Sequence, residues 1–153
     1  MMKPYFQARD DNPKPLRMEI DRTVRFEEVD ALGIVWHGRY ASYFEDARVA
    51  LGQKYGIGYM DFYSHGVIAP IKKMHFDFYQ PLRFQETIRI EAMLHWSEAA
   101  RLNFEFNIRN RNCELSTTGY SVQMLLDING NILVTPPGFY EAFCRKWEAG
   151  ELK

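Results

Sequence analysis

The side chains of this chain that could do covalent, acid–base or metal chemistry are four histidines, two cysteines and a spread of carboxylates. Cys113 and Cys144 have neither metal-type spacing nor a His partner by spacing, which argues against a thiolate nucleophile and against a disulfide framework. They fit a reducing compartment. His65, His75 and His95 follow no ligand spacing. His75 and Asp77 share a strand face, a pair too small to hold a metal. What remains is residues 25–48, RFEEVDALGIVWHGRYASYFEDAR. Taken singly, its members read as ordinary. Asp30 suits a turn or a helix cap, and His37 suits a helix start. Glu45 and Arg48, spaced i and i+3, suit structural contacts on a helix. Tyr40, Tyr43 and Phe44 read as core first and pocket walls second, and Trp36 as either.

The elements that position these residues are written in the periodicity. Met18, Ile20, Val24 and Phe26 share one parity, interrupted by Arg22, which reads as a half-buried strand. Residues 27–37 break the alternation, and Gly33 permits a sharp turn. From Gly38 the period changes. Tyr40, Tyr43, Phe44, Ala47 and Leu51 form a helical stripe, with Arg39, Ser42, Glu45, Asp46 and Arg48 largely opposite. Gly56 and Gly58 end the helix, and a connecting piece, YMDFYSHG, follows. Strands are expected across 67–79, 88–96, 102–109 and 120–126, each with apolar residues on one parity. Asn129-Gly130 predicts a two-residue hairpin turn into a short strand at 131–134. Residues 137–148 read as a closing helix with Pro in its first turn. Long antiparallel strands with one amphipathic helix make a two-layer α+β domain.

Composition excludes several classes. Lys and Arg total 19 against 20 Asp and Glu, so no global basic field exists to hold nucleic acid. Hydrophobic residues at 46% and charged residues at 25% suit a globular domain. No apolar run approaches the roughly 18–20 residues of a membrane span, and the polar N-terminus has no signal-peptide stretch. A cytoplasmic location without membrane insertion is the expectation. The domain is expected over 16–148, between a polar extension at 1–15 and a tail at 149–153.

Residues 25–48 resemble the signature of the 4-hydroxybenzoyl-CoA thioesterase family of hotdog-fold acyl-CoA thioesterases. That signature has an Asp, then G-[IV]-V-[WY]-[HYN] three residues on, then a Tyr and F-E-x-A-R. Here these are Asp30, Gly33-Ile34-Val35-Trp36-His37, Tyr40 and Phe44-Glu45-Asp46-Ala47-Arg48. Residues 74–90, with Phe78-Tyr79-Gln80-Pro81-Leu82 and Thr87-Ile88-Arg89-Ile90, resemble the family's second and third strands.

The resemblance implies a hotdog fold, an antiparallel sheet wrapped around a long central helix. It also implies a homodimer formed through a sheet edge, assembling further into a homotetramer, with the active site between subunits. It places Asp30 at the family's catalytic carboxylate and makes the His37 backbone N–H the oxyanion donor. A thioester already has a good leaving group, because a thiol has a pKa near about 8.5. The demanding steps are delivering an oxygen nucleophile and stabilising the oxyanion. A carboxylate serves the first by direct attack or by taking a proton from water. The open N–H groups of a helix start serve the second. Related bacterial acyl-CoA thioesterases carry His at the position of His37, where its side chain orients substrate or water or assists proton transfer, so the resemblance makes His37 the second catalytic candidate beside Asp30. The founding enzyme has Tyr there. The His-bearing subgroup tends to have Tyr where this chain has Phe26. Gly33, Val35, Trp36 and Tyr40 are the expected substrate-binding residues. No metal or cofactor is implied, since coenzyme A enters as part of the substrate.

The expected activity is therefore hydrolysis of an acyl-CoA to the free acid and coenzyme A. Lys72, Lys73, Arg83, Arg101, Arg109 and Arg111 are available for its phosphates. Two alternatives stay open at this point: a non-catalytic acyl-CoA-binding or regulatory hotdog module, and a thioesterase acting on acyl groups carried by acyl carrier protein. A hotdog dehydratase fits less well, because it uses a different His/acidic pair.

Overall fold

The structure is a computed structural model and describes residues 4–153. Its first strand, β1 (Leu16–Thr23), is followed by a 3-10 turn at Phe26–Glu28 and a second at His37–Arg39. The long helix α1 (Tyr40–Tyr55) and a short helix α2 (Tyr59–Ser64) come next. Then come β2 (Val67–Ile68), β3 (Ile71–Phe78), β4 (Thr87–His95), β5 (Arg101–Arg109), β6 (Leu115–Met124) and β7 (Leu126–Asp127), and α3 (Gly138–Glu148) closes the chain. The main sheet has five antiparallel strands in the order β1-β4-β5-β6-β3, and β2 pairs with β7 beside it. Among the described residues no helix is long and apolar enough to cross a membrane.

The sheet is built on period-two alternation. One row of paired residues runs across all five strands: Met18, Ala92, Phe106, Gly119 and Phe76. Onto this row α1 presses Phe44. Its ring stacks on Phe106 at 4.4 Å and on Phe76 at 4.9 Å. Gly119 leaves room for it, because a Cβ there would lie 2.6 Å from the Phe44 ring and 2.2 Å from the His75 carbonyl oxygen. Burying a ring of this size is worth roughly 1.5–3 kcal/mol. Tyr40, Tyr43, Ala47 and Leu51 continue the buried stripe of α1. A helix against one face of a curved antiparallel sheet is the hotdog arrangement, as the sequence motif implied.

Several local expectations change. Arg48 is not on the solvent side of α1 but is 1% exposed. Its Nε donates to Gln123 Oε1, its Nη1 donates to the Ile57 carbonyl, and its guanidinium lies over the Tyr59 and Phe104 rings. On β6 the apolar parity is the outer one. Gly119 and Gln123 face α1, whereas Tyr120 packs against His75 and Phe6 on the other face. The YMDFYSHG segment contains α2, whose start is held by Asp61 accepting the Gly58 N–H at 2.7 Å. Strand 67–79 is cut at Pro70 into β2 and β3. Asn129-Gly130 does turn the chain, with Gly130 at φ +85°. The expected strand at 131–134 is only a single bridge, Leu126 to Ile132.

Of the extension expected at 1–15, residues 1–3 lie outside the described residues. From Pro4 onward the chain crosses the outer face of the sheet. The Tyr5 hydroxyl donates to Asp77 at 2.6 Å, Phe6 packs on His95 and Tyr120, and the Lys14 carbonyl accepts the Trp147 indole N–H. In the tail expected at 149–153, Leu152 packs partly against the core.

Candidate active site

The segment between β1 and α1 folds into a small hairpin. Val29 bridges Val35, and the Asp30 N–H donates to the Ile34 carbonyl at 2.9 Å. Asp30 closes the tip in two ways. Its carbonyl accepts the Gly33 N–H at 3.0 Å, and its Oδ1 accepts the Leu32 N–H at 2.8 Å. This is an aspartate-stabilised turn, and it needs Gly33 at φ +76°, where a side chain would be strained. The hairpin leans on the chain entering β4. Ile34 bridges Arg83, and the Val35 N–H donates to the Leu82 carbonyl at 2.8 Å. At its foot the Trp36 N–H donates to the Glu28 carbonyl at 2.9 Å.

The next two residues are the donors of interest. Among the described residues, the N–H groups of His37 and Gly38 have no backbone or side-chain acceptor. They stand at the first turn leading into α1, where open donors and the helix dipole both favour negative charge. The bare backbone of Gly38 lies beneath the Trp36 ring. A Cβ there would sit 2.2 Å from that ring.

A cleft of about 310 Å³ opens at this helix start. Its walls are Ile34, Val35, His37 and Tyr40 on one side and Phe78, Tyr79, Gln80 and Pro81 on the other. The structure thus brings three expected residues, Val35, His37 and Tyr40, to one cleft. Asp30 and Gly33 sit at the hairpin tip and Trp36 at its foot, half exposed, and these three do not line the cleft within one chain. Glu45 points away, accepting the Tyr59 hydroxyl at 3.2 Å. Larger clefts of about 500 and 570 Å³ lie on the outer sheet face and beside α3, away from the hairpin and from these open donors.

Burial decides which neighbouring groups can take part as acids or bases. Desolvation pushes the Tyr40 phenol up, offset in part by hydrogen bonding with Thr117 and the Leu82 backbone, so Tyr40 stays neutral near pH 7 and serves as a wall. Away from this cleft, on α3, desolvation raises the Cys144 thiol to about 11, which removes it as a nucleophile. The walls at Phe78–Pro81 were legible in the sequence only as strand and strand end. Their signal is the Pro that stops β3 beside α1. Glu28 was also missed, and it is 2% exposed two residues before Asp30.

The model of the thioesterase-like superfamily matches residues 24–143, from just after β1 into α3. The chain belongs to this superfamily. As a superfamily member it is a thioester hydrolase. YneP of Bacillus subtilis, provisionally described as an acyl-CoA thioesterase, is 29% identical over 104 residues, covering 68% of this chain and 75% of that protein. The 1,4-dihydroxy-2-naphthoyl-CoA hydrolase of Thermosynechococcus vestitus is 25% identical over 118 residues, 76% of this chain and 80% of that one. Among solved structures, the DHNA-CoA thioesterase of Staphylococcus aureus superposes with a TM-score of 0.76 at 23% identity, over 88% of this chain and 93% of that one. That likeness establishes the shared fold.

Proposed function

We propose that the chain hydrolyses acyl-CoA thioesters, with Asp30 delivering the oxygen nucleophile and the N–H groups at His37 and Gly38 receiving the oxyanion. The observation that carries this reading is the pair of open backbone donors at the start of α1, His37 at the wall of the cleft and Gly38 next to it, directly after the hairpin whose tip carries a carboxylate with one oxygen uncommitted. Asp30 Oδ1 is engaged by the Leu32 N–H. The other oxygen is available to attack the thioester carbon or to take a proton from water. Attack raises negative charge on the carbonyl oxygen, and the open donors stabilise it without reorganising. Collapse expels the coenzyme A thiolate and leaves the free acid, directly or after hydrolysis of an anhydride at Asp30. The His37 side chain borders the cleft and orients the acyl carbonyl or the water.

The reading includes a homodimer. β3 is the last strand of the sheet, and its end, Phe78, forms a wall of the cleft. A second copy pairing along that edge satisfies its backbone groups and adds surface opposite the cleft, facing Asp30. Arg83, bridged to Ile34, stands beside the hairpin as a contact for the coenzyme A phosphates. Names of relatives favour acyl-CoA over other carriers. The test is steady-state hydrolysis of a panel of aliphatic and aromatic acyl-CoA esters by purified protein, read as free thiol. Turnover of at least one ester, abolished in Asp30→Asn, is expected. Tight binding of the panel without turnover would refute the reading.

A further inference from the structure

β1 ends with a cation on its apolar face. Leu16, Met18 and Ile20 point between sheet and helix, and Arg22 shares their parity with a side chain only 16% exposed. Three groups receive its guanidinium. Nη2 donates to Glu28 Oε2, Nη1 donates to Asp46 Oδ2 on α1, and the Tyr43 ring lies 4.7 Å beneath it. Glu28 gives up nearly all its water to be there, at 2% exposure. A carboxylate so buried is stable only when paired and hydrogen-bonded. Its remaining oxygen, Oε1, accepts the Arg25 N–H at 2.8 Å and closes the 3-10 turn. Its own carbonyl accepts the Trp36 N–H at 2.9 Å.

One residue therefore joins three parts. The Glu28 side chain is tied to β1 and, through Arg22, to α1. Its main chain is tied to Trp36, immediately before the open donors at His37 and Gly38. Asp30 follows it by two residues. We propose that Glu28 is a positioning residue of the hydrolase: its buried carboxylate, clamped by Arg22, sets the hairpin so that Asp30 and the donors at the start of α1 converge on one carbonyl. This rests on the site assigned to Asp30 above. Glu28 touches no substrate. It acts by fixing the angle between the hairpin and the helix, and a misplacement of about 1 Å in such a site can cost on the order of 100-fold in rate.

The test is Glu28→Gln, which keeps an acceptor for the Arg25 N–H and the backbone bond to Trp36 but removes the charge that holds Arg22. Expected is a fall in kcat per folded enzyme of about tenfold or more, with KM changed less than about threefold, because the cleft walls Val35, Tyr40 and Phe78 are untouched. A merely structural Glu28 predicts a lower Tm with kcat of the folded enzyme unchanged. A kcat within about twofold of the parent, or a loss confined to KM, would overturn the proposal. Should Glu28→Gln fail to fold, the double variant Arg22→Met/Glu28→Met replaces the buried pair by apolar side chains, a change that buried ion pairs often tolerate. It is expected to fold and to show the same low kcat, and parent-like kcat in it would equally overturn the proposal. Asp30→Asn measured alongside separates the two levels. Parent-like turnover in Asp30→Asn means the site itself is misassigned, whereas an inactive Asp30→Asn beside a parent-like Glu28→Gln removes only the positioning role.

Discussion

Replacing Gly119 by Ala adds one methyl group at the centre of the sheet, and the structure says it has nowhere to go. The new Cβ would stand 2.2 Å from the His75 carbonyl oxygen and 2.6 Å from the Phe44 ring. Ordinary contacts lie at about 3.5–4.0 Å, so both neighbours have to yield, each by about 1 Å. The carbonyl belongs to β3, held by its ladder to β6. Phe44 is held between Phe76 and Phe106. Overpacking of a tight core costs about 1–3 kcal/mol, and disturbing the aromatic stack adds about 0.5–1.5 kcal/mol. At roughly 2–4 °C per kcal/mol for a domain of this size, Tm should fall by about 5–15 °C. Gly138→Ala is the control. A Cβ there meets nothing within 4 Å at the first residue of α3, so its effect runs from zero to about 1 kcal/mol of stabilisation. Thermal melts of the two variants against the parent decide the matter. A Gly119→Ala protein melting within about 2 °C of the parent would refute the packing described for Phe44.

Other perturbations are informative at single sites. In Gly38→Ala the new Cβ collides with the Trp36 ring at 2.2–2.7 Å. Because that ring is half exposed, it swings aside, and the expected outcome is a shifted tryptophan emission and about a tenfold loss of kcat, with a stability change under about 1 kcal/mol. Parent-like turnover would show that displacing the ring leaves the donors beneath it undisturbed. The Cys144 thiol is raised from its ordinary 9.0 to about 11 by desolvation. A raised folded-state value means this contribution is intact below pH 9 and is lost as pH climbs towards 11, up to about 3 kcal/mol. Cys144→Ala should flatten the fall in unfolding free energy between pH 9 and 10, below the window where the Tyr5 phenol, raised to about 12, begins to contribute. An unchanged slope would contradict the burial assigned to the thiol. His37→Ala should cost less in kcat than Asp30→Asn, since the His37 main-chain donor survives, and an equal loss would assign the imidazole a larger part.

Where one physical signal dominated, the sequence was easy to read. β5 carries uninterrupted apolar–polar alternation and β4 nearly so, broken only at Met93, and α1 has an apolar stripe long enough to set its ends within a residue or two. The hairpin of Asp30 was legible as a break in pattern with a turn-permitting glycine. What escaped was decided by tertiary partners. Arg48 looks like a surface cation until Gln123, Tyr59 and Phe104 surround it. On β6 a small, polar face lies inward because the bulk on that side comes from Phe44 and Arg48 of α1, so hydrophobicity alone points to the wrong parity. The YMDFYSHG segment is too short for a clear helical period, although Asp61 three residues after Gly58 is a start signal. The Arg22–Glu28 pair left one trace, a charged residue interrupting the apolar parity of β1. Its meaning needed a partner six residues away around a turn.

The central claim is that the Asp30 carboxylate acts on a thioester held against the open donors of His37 and Gly38. Asp30→Asn is well matched to it, because the asparagine Oδ1 can still accept the Leu32 N–H and hold the turn, while the charge disappears. The decisive measurement is kcat of this variant on an acyl-CoA that the parent hydrolyses, with binding of the same ester checked independently. A loss of about 100-fold or more with affinity retained is the predicted result. Unchanged turnover in a folded Asp30→Asn protein would contradict it.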